Sequence, residues 1–334
     1  MGDTRLPQDL ASIVARRLAE RRGEFAVIGM ARSGASVARM LRAAGLSVYV
    51  SDASDSAEVR ATGAELERAG AMVQVGGHDL ARIAHASVVV VSPGVPPSAP
   101  PIAAARAADV PIVSEVEVAL RLQPALRVIA TTGTNGKTTT TALIGHLLRA
   151  LGHDAVDVGN IGTPISEIAL RAVPPSWASL EMSSFQLHDT PGFMPDVGVL
   201  TTLSPDHLDR YESVEAYYDD KRRMFANASM SSQWVVTADN TDAMAMVQGI
   251  AGHVHCFSTK RTDVAAYFDR ASGMLHVLGA PLVSRAKLAL AGDHNVANAL
   301  AALLAVMVAD HLHATLGARQ RLADAIATFH ALPH

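Results

Sequence analysis

Residues Arg127–Leu151 read RVIATTGTNGKTTTTALIGHLLRAL, an apolar run, a turn with two glycines and a lysine, then a long stretch at helical spacing. A buried strand feeding a tight turn and then a helix is the repeating unit of a parallel α/β sheet. Gly133 and Gly136 let the backbone fold so that successive N–H groups face an anion, and the helix start adds partial positive charge. Lys137 stands where an ammonium would neutralise the β- and γ-phosphates of a nucleotide, and the Thr138 hydroxyl where it would ligate Mg²⁺. The usual pattern carries one more glycine, at the position held here by Thr131, so this is a shortened phosphate loop. The plainer alternative is a Gly-rich turn with a solvated lysine. Strand, turn, Lys-Thr and helix occurring in that order favour the phosphate loop.

Upstream of this unit, short Val- and Ile-rich runs alternate with helical spacings. They predict strands at Phe25–Ile28, Ser47–Val50, Met72–Val75 and Ser87–Val91. Ser92–Pro101, SPGVPPSAPP, is too rich in Pro and Gly for a helix or a central strand and reads as a surface loop. The restart at Arg127 puts a boundary near Gln123 and Pro124, hence domains over 1–123 and 124–334. Downstream, strands are expected at Trp177–Met182, Val197–Leu200 and Gln233–Thr237, a hairpin over Val264–Leu282, and helices at Asn295–Val308 and Ala318–Thr328, before the closing Ala331, Leu332, Pro333 and His334. The fold class is α/β: an N-terminal Rossmann-like parallel-sheet domain followed by a P-loop-type central ATPase domain.

With 334 residues, 49% of them hydrophobic and 18% charged, the chain has enough apolar surface for two folded domains. A net charge of -4 offers no basic excess for a nucleic-acid backbone or an anionic membrane, so neither is an expected partner and small molecules are. The single cysteine, Cys256, fits a reducing cytoplasm, and Met1–Arg22 lacks the apolar core of a secretory signal. The apolar run Ala299–Ala309 is well short of the ~20 residues a membrane span needs and reads as a buried helix.

Two further clusters carry chemistry. Glu181 closes an apolar strand, where an α/β sheet places ligands and metals, although an N-cap for the next helix is the plainer role. Asp206, His207 and Asp209 follow another short strand and together could hold a divalent ion, though a lone histidine is more often an ordinary hydrogen-bonded residue. Lys221 lies among the charges of YYDDKRRMF, which on composition alone mark a solvated face.

Taken together, the runs TTGTNGKTTTT (131–141), LEMSSFQL (180–187), LSPDHLDRY (203–211) and AGDHNVANALAALLA (291–305) closely resemble the Mur ligase family, the amide-forming enzymes of peptidoglycan precursor assembly. Phe185 and Gln186 make the resemblance closest to the D-glutamate-adding branch. The N-terminal half shares it through Gly29, Ser33 and Gly34 in GMARSG and Ser92, Pro93 and Gly94 in SPG.

The resemblance implies that Gly133, Thr134, Asn135, Gly136, Lys137, Thr138 and Thr139 hold ATP, with Asn295 and Asn298 near the adenine. It implies two Mg²⁺ ions, one on Thr138 and one on Glu181 and His207. Lys221 would take up CO₂ as a carbamate and, so modified, join the metal-holding residues, and Lys137, Lys221 and His207 would form the catalytic set. Gly29, Ser33, Gly34, Ser92, Pro93 and Gly94 would cradle the diphosphate of UDP-N-acetylmuramoyl-L-alanine, and Asn160 and Ser183 would meet its muramoyl-alanine end. D-Glutamate would be the co-substrate of a monomeric cytoplasmic ligase. Without the resemblance, Asn295 reads as a helix N-cap and Asn298 as polar helix surface.

Two departures stand out. Asp52, Ala53 and Ser54 stand where relatives often carry Asp-Thr-Arg or Asp-Ser-Arg facing uracil, which leaves Asp52 as the expected contact. Family members also continue past Leu-Pro-His with an arginine and a third Rossmann-like domain, whereas this sequence stops at His334, so a chain that binds substrate but turns over poorly is expected. The alternatives are a phosphate-loop nucleotide switch or kinase with a regulatory first half, a non-catalytic binding module, a folate polyglutamating enzyme, and a dinucleotide-binding reading of residues 25–52. Ala31, in place of the second glycine of a G-x-G turn, weakens the last.

Overall fold

The computed structural model describes residues 7–160 and 162–329, so the expectations for Ala331–His334 lie outside the described residues. The chain divides into two compact units. The first runs to Pro124 and also takes in Thr163–Pro174 and Phe185–Phe193; the second comprises Ala125–Gly162, Pro175–Ser184 and the chain from Met194 onward. Two segments beyond Pro124 thus pack with the first unit, a discontinuity that a linear reading of strands and linkers does not reveal.

The first unit begins with α1 (Pro7–Glu20), β1 (Glu24–Ile28), α2 (Arg32–Ala43), β2 (Ser47–Asp52), α3 (Ala57–Arg68) and β3 (Met72–Val75). It continues with α4 (Leu80–Ala84), β4 (Val88–Val91), α5 (Pro100–Ala107), β5 (Ile112–Ser114) and α6 (Glu115–Leu122). The strands form an all-parallel sheet in the order β3-β2-β1-β4-β5. Strand β4 is four consecutive valines, all buried, as expected of a strand covered on both faces. The expected loop over Ser92–Pro101 ends earlier than its composition suggests. Pro100 and Pro101 open α5, where a missing N–H leaves no helical bond unmade.

The second unit starts with β6 (Arg127–Thr132), α7 (Lys137–Ala150), β7 (Ala155–Gly159), β8 (Trp177–Glu181), α8 (Ser184–His188) and β9 (Val197–Leu200). There follow α9 (Val214–Arg222), β10 (Gln233–Thr237), α10 (Thr241–Met246), β11 (His253–Ser258), β12 (Ala266–Asp269), β13 (Met274–Val277), β14 (Ala280–Ser284), α11 (Asp293–Ala309) and α12 (Leu316–Thr328). Its nine-stranded sheet runs β14-β13-β12-β11-β10-β9-β6-β8-β7. Pairing is parallel from β7 to β12 and antiparallel through β13 and β14. The segment expected as one hairpin therefore supplies three strands, because Gly279 sits at a positive φ of 78° and allows a second turn.

Helix α11 packs on α7 through a core containing Leu143, Ile144, Leu147, Leu300, Leu303 and Leu304. Among the described residues no helix is long and apolar enough to cross a membrane.

Candidate active site

The loop after β6 lies where the sheet order turns back on itself, with β8 on one side of β6 and β9 on the other. Parallel sheets bind ligands at the C-terminal ends of strands flanking such a point. Gly136 caps α7 at a left-handed φ of 85°, and no side chain caps this helix. A Cβ at Gly136 would stand 2.5 Å from Asn298 Oδ1, so the turn folds hard against α11 and only glycine fits. Two upstream amides are already engaged: Thr134 N–H donates to Thr202 O at 2.7 Å and Asn135 N–H to Thr202 Oγ1 at 3.1 Å. The first-turn amides of α7, from Lys137 to Thr139, are left facing outward without a capping side chain, the arrangement that receives an anion.

The Lys137 ammonium folds back to donate to Thr134 O at 2.8 Å. Burial holds its pKa below the usual lysine range, while Glu181 and Asp206 pull it upward. Glu181 ends β8 directly beside β6, paired in register with Thr131, and is buried. Its Oε1 accepts from Asn160 Nδ2 at 2.9 Å, and its Oε2 has no hydrogen-bond partner; neither does the hydroxyl of Thr131. Glu181 is thus no helix cap.

A buried carboxylate oxygen left unpaired is costly unless a cation compensates it. Among the described residues no three His, Cys, Asp or Glu side chains gather as a ready-made metal site. One carboxylate plus hydroxyls nevertheless fits Mg²⁺, which keeps several of its own waters. Asn160, expected at the substrate, is in this structure the residue that orients Glu181.

Lys221 overturns the expectation of a solvated face, being 1% exposed. Ser213 caps α9, and its inward face sets Tyr217 and Lys221 one turn apart. The Lys221 Nζ donates to Gly133 O at 2.8 Å and lies 4.5 Å from the centre of the Tyr217 ring. Burial first, and the Lys137 charge second, bring its pKa down to about 7.

His207 is exposed, at a left-handed φ of 53°, with its ring edge-on to Tyr217 at 5.8 Å. Tyr217 also reaches Thr134 Oγ1 at 3.3 Å, so one phenol ring touches the phosphate loop, Lys221 and His207. The sequence reading missed Tyr217, and its spacing of four residues from Lys221 was the available signal. Asn298 is buried beneath the loop, accepting from Thr140 Oγ1 at 3.3 Å and donating to Asn295 Oδ1 at 3.2 Å. Gly292, not Asn295, caps α11, so neither asparagine has its plainer role. Ser183 is half-buried just beyond β8, and Thr138 is exposed at the helix start.

In the first unit β1 lies between β2 and β4, and Gly29 follows it at a φ of 95°. Helix α2, which carries Ser33 and Gly34 in its first turn, also starts without a side-chain cap, after the N-cap Ala31. Buried Ser92 directs its hydroxyl to Gly29 O at 3.4 Å, with Pro93 half-buried and Gly94 exposed beside it. Asp52 accepts from Met30 N–H at 2.6 Å and from Ser54 N–H at 2.9 Å, so it braces the turn after β1. A cleft of about 390 Å³ opens here, lined among others by Met30, Arg32, Arg39, Asp52, Thr62 and Glu167. A Cβ at Gly34 would fall 1.9 Å from Gly29 O. Gly34→Ala is therefore expected to cost about 1–3 kcal/mol, read as a lower urea midpoint; an unchanged midpoint would show that the turn yields freely.

Each unit thus offers a helix start without a side-chain cap after a parallel strand, the geometry of a candidate anion site. Residues 131–306 match the Mur ligase middle domain, and residues 23–114 the Mur ligase MurD-like N-terminal domain. The chain belongs to the Mur ligase family. It is 33% identical over 316 residues to the UDP-N-acetylmuramoylalanine–D-glutamate ligase of Koribacter versatilis, covering 92% of this chain and 67% of that protein. It is 38% identical over 288 residues to the ligase of the same name from Anaeromyxobacter dehalogenans, covering 83% and 62%. The chain thus spans roughly two thirds of these relatives' length.

Among solved structures, the Neisseria meningitides UDP-N-acetylmuramate:L-alanyl-gamma-D-glutamyl-meso-diaminopimelate ligase superposes with a TM-score of 0.62 at 19% identity. That match covers 93% of this chain and 99% of the other, a likeness of fold. A murein peptide ligase from Psychrobacter arcticus gives 0.60 at 18% identity, covering 92% and 68%.

Proposed function

We propose that this chain handles the nucleotides of an ATP-dependent ligase that joins D-glutamate to UDP-N-acetylmuramoyl-L-alanine in the cytoplasm, acting as a monomer. The observation that carries the reading is the uncapped first turn of α7 with Lys137 beside a buried carboxylate whose second oxygen lacks a partner. A carboxylate does not condense with an amine while oxide must leave, so ATP first phosphorylates it. The amine of D-glutamate then adds to the acyl phosphate, and phosphate departs. Lys137 and the α7 amides stabilise charge on the transferred phosphoryl group.

Thr138, Glu181 and His207 are the residues that would hold two Mg²⁺ ions, which when bound add charge stabilisation at the phosphates. Lys221, held buried by Gly133 O, is suited to CO₂ uptake: its amine lone pair adds to the carbon, a proton is lost, and the product is an anionic carbamate. Asn295 and Asn298 are assigned to the adenine side. Asn160 and Ser183 are assigned to the muramoyl-alanine end. Gly29, Ser33, Gly34, Ser92, Pro93 and Gly94 are assigned to the diphosphate, with Asp52 holding their turn.

Calorimetric titration of the 334-residue chain with UDP-N-acetylmuramoyl-L-alanine is expected to give saturable one-to-one binding. Binding of ATP with none of the UDP-sugar would instead favour a phosphate-loop switch or kinase.

A further inference from the structure

The head of α6 grips both segments that join the first unit from beyond Pro124. Ser114 N–H donates to Asp189 O at 2.6 Å, and the Ser114 and Thr190 hydroxyls meet at 2.7 Å. Glu117 Oε2 accepts from Gly192 N–H at 2.9 Å while its Oε1 takes Arg121 Nε at 2.9 Å. These contacts hold Phe185–Phe193. The other segment is held by Glu115, whose Oε1 accepts from Ser166 N–H at 2.6 Å. The Ser166 hydroxyl in turn donates to Ser36 Oγ on α2 at 2.7 Å. Glu115, Ser166 and Ser36 are all buried.

Ser166 sits in the 3-10 turn Ile165–Leu170, next to Glu167, which lines the cleft together with Met30, Arg32 and Asp52. From the same segment, Glu167 Oε1 lies 3.5 Å from Arg32 Nε, and Thr163 Oγ1 accepts from the Arg32 guanidinium at 3.5 Å. One wall of the cleft therefore belongs to a short 3-10 turn packed between α6 and α2, with Ile165 and Ile168 buried and the polar tie made at Ser166. Short surface turns are mobile unless tied down, and a ligand that must order its own wall loses affinity by that amount. A buried amide N–H left without its acceptor is costly, so the Glu115 oxygen is a strong tie.

We propose that Glu115 is a positioning residue for nucleotide-sugar binding, pinning Ser166 so that Glu167 and Arg32, the latter braced by Thr163, form a ready-made wall of the cleft. This rests on the UDP-sugar reading above. Glu115 touches no ligand and acts through Ser166. Preorganisation of this kind changes affinity for the ligand of that cleft and leaves the phosphate loop of the second unit unaffected.

The test is calorimetry on the full chain with UDP-N-acetylmuramoyl-L-alanine and, separately, with ATP. Glu115→Ala, which leaves the Ser166 amide without its acceptor, is expected to raise the UDP-sugar Kd by about tenfold and to leave the ATP Kd alone. Glu115→Gln keeps the acceptor oxygen and is expected to restore most of the affinity. Should Glu115→Ala fail to fold, Ser36→Ala, which removes one hydroxyl acceptor from α2, is expected to show the same split with a smaller loss.

Equal weakening of both ligands means general damage and overturns the positioning role. UDP-sugar binding unchanged in Glu115→Ala, or in Ser36→Ala where that variant stands in for it, overturns the role while leaving the ligase reading in place. A wild-type chain that does not bind the UDP-sugar removes both.

Discussion

Lys137→Ala is expected to lower ATP-dependent phosphate release by about 100-fold or more in protein that turns over. In the 334-residue chain it is expected to weaken ATP binding measurably. The ammonium is the cation at the head of α7, half-buried and held over the loop by Thr134 O. Its pKa is depressed by burial, and the carboxylates of Glu181 and Asp206 supply only part of the compensation. A polyphosphate arriving at the uncapped helix start would supply the rest, so the lysine carries a desolvation cost in the free protein that the bound nucleotide relieves. Alanine removes both the cost and the gain, so the free chain should lose no stability while nucleotide affinity drops. Turnover within a factor of two of wild type would remove this loop from the chemistry. A large loss of stability would show that Lys137 serves the fold.

The second large effect belongs to Glu115. Burial lifts its carboxyl to about 7 from the ordinary 4.5, against the opposing bonds from Ser166 and with a small upward push from Glu167. Between these two values the folded chain holds a proton that the unfolded chain has released. Stability therefore falls as pH rises from about 4.5 to about 7 and is level in this respect above that. The difference corresponds to about 3 kcal/mol.

Glu115→Gln cannot titrate, yet its amide oxygen can still accept from Ser166 N–H. The variant should match wild type near pH 5 and exceed it by about 3 kcal/mol at pH 8, read from urea denaturation at the two pH values. Parallel pH profiles for the two proteins would show that Glu115 is not the titrating group. The expected gain in stability for Glu115→Gln also separates this effect from the binding role of the same residue, which glutamine largely preserves.

Much of the framework was legible in the chain itself. The four-valine strand β4, the run RVIATT and the helical pattern after Lys137 are local signals, since strand and helix periodicities need only neighbouring residues. The strands missed were β5, β7 and β11. They are three to six residues long, and β7 and β11 mix half-buried or exposed positions among their apolar ones, which weakens the alternation that marks a strand.

The site was legible in part. The phosphate loop follows from the order Gly, Gly, Lys, Thr between strand and helix, and Glu181 from its place at a strand end. Tyr217 gave only a weak sign, its four-residue spacing from Lys221, because an aromatic residue in a charged helix has many ordinary roles.

By itself the sequence determined that the chain is a two-part α/β protein with a glycine-containing strand-to-helix turn at residues 133–138, because those features depend on residues adjacent in the chain. Only the tertiary structure decided that Lys221 is buried under Gly133, that Glu181 keeps one oxygen without a partner, and that Asn298 closes under Gly136. It also decided that Thr163–Pro174 packs with the first unit through Glu115. Burial and hydrogen-bond partnership are set by segments 50 to 160 residues apart meeting in space, and no local pattern of residue types records which of them will meet.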